Sequence, residues 1–259
     1  MKDMLGDRMK SNYENVTRNY LTRRTPVIIR IDGKSFHTFT KNFEKPFDLM
    51  LNSVMQMVTD DLVKNIQGCV LGYTQSDEIS LLLVDYQNLN SEAWFGYNIQ
   101  KCASIAASMA TMLFNKYLFS AWKEIVYDED IKNEYLSNVL NACDNGAIFD
   151  ARCFNIPKEE VLNYFVWRQN DCYRNAINAI GQENFSYIDL NHKSVETIKE
   201  MLEEKEISLN DFPLTCLYGY KIYKNIFNDG KKWLSDDDLK KEFYLFKDNR
   251  DYFSKLFIF

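Results

Sequence analysis

Residues 26–156 fall into six apolar segments whose order leaves few folds open. The first, 26–31, is a β-branched run (Val27, Ile28, Ile29, Ile31) that reads as a buried strand and stops at Asp32-Gly33. Pro46 precedes a helix over 47–64, in which Leu51, Val54, Met55, Val58 and Leu62 share one face. Two short strands, 69–73 and 79–84, flank the polar tip Thr74-Gln75-Ser76-Asp77-Glu78 and predict a β-hairpin. A long apolar helix over 94–122 and a strand over 147–156 complete the series. Strand, helix, strand, strand, helix, strand is the ferredoxin-like βαββαβ order of an α+β protein. Right-handed crossovers then give a four-stranded antiparallel sheet with both helices on one face.

A further helix follows from Pro157, with Glu159 and Glu160 in its first turn and an end near 180. Residues 12–24 read as a helical lead-in and 128–145 as a polar, partly helical connection. After Gly181 the pattern changes to an exposed helix over 194–204, a strand over 217–224 and a charged tail with aromatic anchors over 235–259. The expected organisation is a palm-like catalytic domain over 1–180 and a C-terminal α/β extension over 181–259 packed on it.

With 46% hydrophobic and 26% charged residues the composition is that of a globular chain. The polar stretch 1–10 does not resemble a signal peptide, and the longest charge-free apolar helical run, 102–115, is too short to span a bilayer. Six cysteines without a CxxC pair read as reduced thiols, so a cytoplasmic protein with no membrane partner is expected. Only two histidines are available, and neither has zinc-ligand spacing to a cysteine pair. The net charge of -6 argues against a broadly basic nucleic-acid binder. The charge is uneven, however: residues 1–45 carry ten Lys/Arg against five Asp/Glu, a basic front that suits an anionic partner or a solvated arm.

Asp32 ends the first strand, and Asp77 and Glu78 sit at the hairpin tip, which the βαββαβ order places beside it. Carboxylates converging from distant sequence positions repel unless a cation lies between them. Hard oxygen ligands suit Mg²⁺, and two such ions serve phosphoryl and nucleotidyl transfer. The same residues also fit an ordinary Asp-Gly turn and a hairpin tip. Gly33-Lys34-Ser35 is not a Walker motif, because Ile28 stands where that motif needs glycine. A Gly-led turn can still offer backbone N–H groups to a triphosphate, with Lys34 and Lys45 to neutralise it. His37 suits a phosphate or base contact, or packing after Phe36. Arg168 and Gln169 suit a phosphate or a base, or a polar helix face. No nucleophilic triad is supported.

Four blocks carry a resemblance: Arg30-Ile31-Asp32-Gly33-Lys34-Ser35-Phe36-His37, Glu44-Lys45-Pro46-Phe47-Asp48, Tyr73-Thr74-Gln75-Ser76-Asp77-Glu78, and Trp167-Arg168-Gln169-Asn170-Asp171-Cys172. In order and spacing, over about residues 20–180, they resemble the tRNA-histidine guanylyltransferase family. The resemblance implies a polymerase-palm fold and nucleotide addition in the 3′-to-5′ direction. It implies two Mg²⁺ held by Asp32, the Gly33 carbonyl and Asp77, with Glu78 as a further catalytic carboxylate. ATP and GTP are the implied substrates. The residues implied to bind nucleotide are Asp32, Gly33, Lys34, Ser35, Phe36, His37, Lys45, Asp48, Ser76 and Asp77. For tRNA contact, Arg18, Arg23, Arg24, Arg168 and Asn175 are the candidates, and a homotetramer is implied.

One departure bears on specificity. Enzymes dedicated to histidine tRNA follow the Asp-Cys pair with His-Ile-Asn-Asn, whereas here the run is Tyr173-Arg174-Asn175-Ala176. The guanylyltransferase-like members also lack that run and favour template-directed repair of 5′-truncated tRNA. Repair is therefore expected, with dedicated G addition as the alternative. A nucleotide cyclase and a non-catalytic RNA-binding module are the remaining readings.

Overall fold

The structure, a computed structural model, describes residues 3–225, 232–236 and 244–258. Its centre is a six-stranded antiparallel sheet in the order β4-β1-β3-β2-β5-β6. The strands are β1 (Val27–Gly33), β2 (Cys69–Gln75), β3 (Glu78–Leu83), β4 (Phe149–Asn155), β5 (Tyr220–Lys224) and β6 (Trp233–Ser235). The first four have the ferredoxin-like arrangement expected from their sequence order. β5 and β6 extend the same sheet beyond β2, so residues after 180 build onto the palm rather than apart from it.

Alternation along β1 assigns the two faces. Val27, Ile29 and Ile31 enter one core with α1 (Leu49–Asn65) and α2 (Ile99–Ile125), the two crossover helices, which lie together on one face. Ile28 enters a second core on the opposite face. There a third long helix, α4 (Lys158–Asn184), packs with Phe246, Phe253 and Phe257 of the tail. Helix α3 (Asn133–Asn145) falls inside the polar connection and buries Leu136 and Val139.

The helices begin where their caps dictate. The Asp48 carboxylate accepts from Leu51 N at 2.8 Å, and the Asn98 side chain accepts from Lys101 N at 3.0 Å. Helix α2 starts at Ile99 rather than at 94, because Phe95, Gly96 and Tyr97 all have positive φ and break the helical path. The expected helix over 12–24 is not formed: a helix covers Met4–Met9, a π-helical turn covers Lys10–Glu14, and Tyr20 then bridges to Asn98. The expected strand from 217 starts at Tyr220, because Leu214–Tyr218 is a short helix. Gly219 ends it at φ +76°, where a Cβ would stand 2.5 Å from the Tyr73 hydroxyl oxygen. Helix α5 (Val195–Glu204) is not simply exposed; Ile198 and Leu202 bury against α4, where Gly181 leaves room for the Ile198 side chain. Of the expected tail, 237–243 and 259 lie outside the described residues.

Candidate active site

Antiparallel pairing assembles the site. Asp32 is in register with Glu78, and Gly33 N donates to the Asp77 carbonyl at 3.2 Å. The end of β1 and the β2–β3 tip therefore adjoin, although 45 residues separate the two aspartates in sequence. Burial pushes the Asp77 carboxyl up from its ordinary range, with added repulsion from the Asp32 and Glu78 carboxylates. The Ser76 hydroxyl donates to Asp77 at 3.1 Å and offsets part of this. Ser76 and Ser35 are held at φ +49° and +53°, left-handed conformations that cost a non-glycine residue of order 1–3 kcal/mol.

Gly33 is required by packing. A Cβ there would lie 2.3 Å from the Phe36 ring and 3.0 Å from an Asp77 carboxylate oxygen. Phe36 cannot retreat, because it packs within 5.1–5.6 Å, centroid to centroid, of Phe39, Phe114 and Phe149. Gly33→Ala is thus expected to cost about 2 kcal/mol through overpacking. It should also displace the hairpin tip, so that activity falls further than the loss of folded protein accounts for; thermal melts and kcat on one preparation check this.

Beside the aspartates opens a cleft of about 840 Å³, measured with its open mouth. Phe36, Lys45, Asp48, Ser76 and Asn175, all expected at the site, line it. Lys34, Ser35 and His37 are exposed on the turn that leads into Phe36–Phe39. The Asp48 carboxylate is buried by structural work. Besides capping α1, it accepts from Glu44 N at 3.2 Å and from the Tyr135 hydroxyl at 2.7 Å. Sequence reasoning missed the far wall, formed by Cys172, Ala176, Ala179, Thr215 and Cys216. Small residues there leave a slot between α4 and the turn before β5. The 172–176 spacing on one helix face was the available signal. Burial holds the Cys172 thiol at about 12 and the Cys216 thiol at about 11, so both are neutral walls rather than nucleophiles.

Two expectations need correction. Glu78 lies beside Asp32 but is taken up by arginines: both of its oxygens accept from Arg168 at 2.7 Å, and Arg30 reaches one at 2.5 Å. Arg168 does not face RNA: it is 5% exposed, held by Glu78 and by Asp171 at 2.9 Å. Reading the two as separate functional residues missed that they satisfy each other. Arg23 is likewise engaged, its Nε 2.5 Å from the buried Asp85, and Arg18 pairs with Glu14. Arg24 is exposed, with its backbone N–H on Asp85.

Paired aspartates on adjoining strand ends, beside an open cleft on a βαββαβ sheet, define a palm-type nucleotidyltransferase. A family model described as "Thg1: tRNAHis guanylyltransferase" matches residues 6–157. Over 98% of this chain, the solved structure of a bacterial tRNA(His) guanylyltransferase-like protein in complex with ATP superposes with a TM-score of 0.81 at 35% identity, covering 100% of that chain. A second, in complex with GTP, gives 0.75 at 35% identity over 99% of this chain and 100% of that one. The tRNA(His) guanylyltransferase of Debaryomyces hansenii is 31% identical over 65% of this chain, and the match spans 59% of its own length. An uncharacterised protein of Acanthamoeba polyphaga mimivirus is 29% identical over 87% of this chain and 79% of its own. The chain belongs to the tRNA-histidine guanylyltransferase family of nucleotidyltransferases.

Proposed function

We propose that this protein is a Mg²⁺-dependent 3′-to-5′ nucleotidyltransferase that repairs the 5′ ends of truncated tRNAs under template direction. The pairing of Asp32 with Asp77 beside the cleft carries this reading. The donor set fits the metal: two carboxylates and the Gly33 carbonyl are hard oxygens. Asp77 is half-buried, and its protein contacts do not remove its repulsion with Asp32. Bound there, Mg²⁺ would supply charge stabilisation to the phosphoryl oxygens and the leaving group.

The residues of this chain bind and orient. The turn offers the backbone N–H groups of Ser35 and Phe36 and the Lys34 side chain to a triphosphate, those of Gly33 and Lys34 already donating to Asp77 and Ile148, with Lys45 at the cleft. In the first transfer, an oxygen of the tRNA 5′-monophosphate attacks the α-phosphorus of ATP. Pyrophosphate leaves, and the RNA end is adenylylated. In the second, the 3′-hydroxyl of an incoming nucleotide attacks the activated 5′-phosphorus, loses its proton and expels AMP. The new end carries the incoming triphosphate, so GTP as well as ATP serves as substrate.

Repair is favoured over dedicated G addition by the run Tyr173-Arg174-Asn175-Ala176. Tyr173 stacks on Tyr218 at 5.1 Å, Arg174 pairs with Asp171, and Asn175 and Ala176 line the cleft. Two of the four positions are thereby spent on contacts within the protein. A homotetramer working in the cytoplasm accompanies the proposal. Among the described residues no helix is long and apolar enough to cross a membrane.

The test supplies 5′-truncated tRNAs, ATP, labelled nucleotides and Mg²⁺. Extension is expected on several truncated tRNAs, limited to positions opposite a template base. Extension confined to a single G on histidine tRNA would favour the alternative, and no extension would end both.

A further inference from the structure

We propose that the outer face of α2 is an RNA-docking surface that holds the body of the substrate while its 5′ end lies at the aspartates. This rests on the reading of the protein as an RNA enzyme. Helical spacing puts Lys101, Ile105, Met112, Lys116, Phe119 and Lys123 within one narrow arc of α2, and all six are exposed. In an acidic chain this arc holds three cations and no acid; Glu124, the one acidic residue of the helix, lies off to its side. None of the three lysines is in an ion pair among the described residues.

Each lysine also lies against a ring. Lys101 Nζ is 5.8 Å from the Phe95 centroid, Lys116 is 5.8 Å from Tyr117, and Lys123 is 4.4 Å from Phe119. Phe119 stacks on Trp122 with an interplanar angle of 12° and stays 41% exposed. Cations for phosphates beside the part-exposed rings of Phe95 and Phe119, which can meet an unpaired base, are the chemistry of an RNA contact. The face is also linked to the site. Next to Lys116, Asn115 holds the loop before β4 through Ala147 N at 2.8 Å and Ala147 O at 2.9 Å, and Ile148 O accepts from Lys34 N at 2.8 Å. Lys116 therefore lies nearest the triphosphate turn, with Lys101 and Lys123 on either side of it along the helix. A second copy of the chain fits less well, since two such faces would oppose lysine to lysine.

The experiment measures labelled tRNA binding to the full chain between 50 and 200 mM salt, for wild type and for Lys101→Ala/Lys116→Ala/Lys123→Ala. Phe119→Ala is a separate variant, and ATP affinity and particle mass are read on each. Losing three phosphate contacts should weaken tRNA binding by about 10-fold or more and flatten the log–log salt slope by about 2–3, at roughly 0.9 per contact. Phe119→Ala should weaken binding several-fold with the slope unchanged. ATP affinity and mass should stay as in wild type. Unchanged tRNA affinity and slope would overturn the inference. So would a fall in particle mass, which would make the face an interface between copies. Failure of the parent reading shows separately, as wild type that transfers no nucleotide to any truncated tRNA.

Discussion

Asp77→Asn is expected to abolish nucleotidyl transfer while making the metal-free protein harder to melt. Losing one of two metal carboxylates removes several kcal/mol of transition-state stabilisation, on the order of a 10³-fold fall in kcat or more. Stability should move the other way. The folded protein raises the Asp77 carboxyl because burial and the Asp32 and Glu78 carboxylates disfavour its charge. An acid with a raised folded pKa costs stability at pH values above that pKa, and the cost fades as the pH falls through it towards the unfolded value. Asparagine removes the charge and keeps the shape. The variant should therefore melt higher than wild type at pH 7, and the gap should close as the pH falls towards 4. Added Mg²⁺ should raise the wild-type melting temperature and leave the variant unmoved. Differential scanning fluorimetry at several pH values, with and without Mg²⁺, reads all three. A variant that melts lower at pH 7 would show that Asp77 holds the fold rather than a cation.

Glu78→Ala should be the most damaging single change to the fold in this region. Glu78 is 5% exposed and neutralises Arg168 through two bonds of 2.7 Å, with Arg30 as a third contact. Removing one member of a buried ion pair typically costs about 3–5 kcal/mol, because the remaining charge is stranded. Here Arg30 would lose its carboxylate and Arg168 would keep only Asp171, and in a chain of this size that cost lowers the melting temperature by roughly 6–20 °C. The loss should be strongly non-additive. Once Arg168 is already leucine, Glu78→Ala should cost far less, since the main partner is gone. A double-mutant cycle on melting temperature tests the coupling. If the single variant melted like wild type and lost only kcat, Glu78 would be a catalytic carboxylate after all.

The two predictions separate what adjacent residues do, and that separation could not be read from the chain. Asp77 and Glu78 are neighbours at a hairpin tip, and both looked available for chemistry. Asp77 stands in the turn, whereas Glu78 opens β3 and takes its place in the pleat. Glu78 falls on the face covered by α4, where Arg168 waits 90 residues later in sequence. The position of Arg168 on a polar helix suggested an RNA contact, because a one-dimensional pattern does not reveal which face of a helix meets a buried carboxylate. Arg23 stays exposed, but its partner, Asp85, is likewise distant in sequence.

The βαββαβ order, the places where strands and hairpin stop, and hence the meeting of Asp32 with Asp77 are legible in the chain alone. Those features follow from hydrophobic period and turn residues, which act over a few positions. Composition also indicated reduced cysteines, and the cysteines are free. Packing in three dimensions set the second layer of α4 and the aromatic tail, the extension of the sheet by β5 and β6, and the Cys172–Cys216 wall of the cleft. It also decided which charges are tools and which are fastenings. A charge's role depends on what it meets across space, and burial leaves an arginine or a glutamate no choice but to be paired. The basic excess of residues 1–45, which suggested an anionic partner, is partly spent in that way. The three lysines of the proposed RNA face lie on α2, in the middle of the chain, where a count by segment does not look.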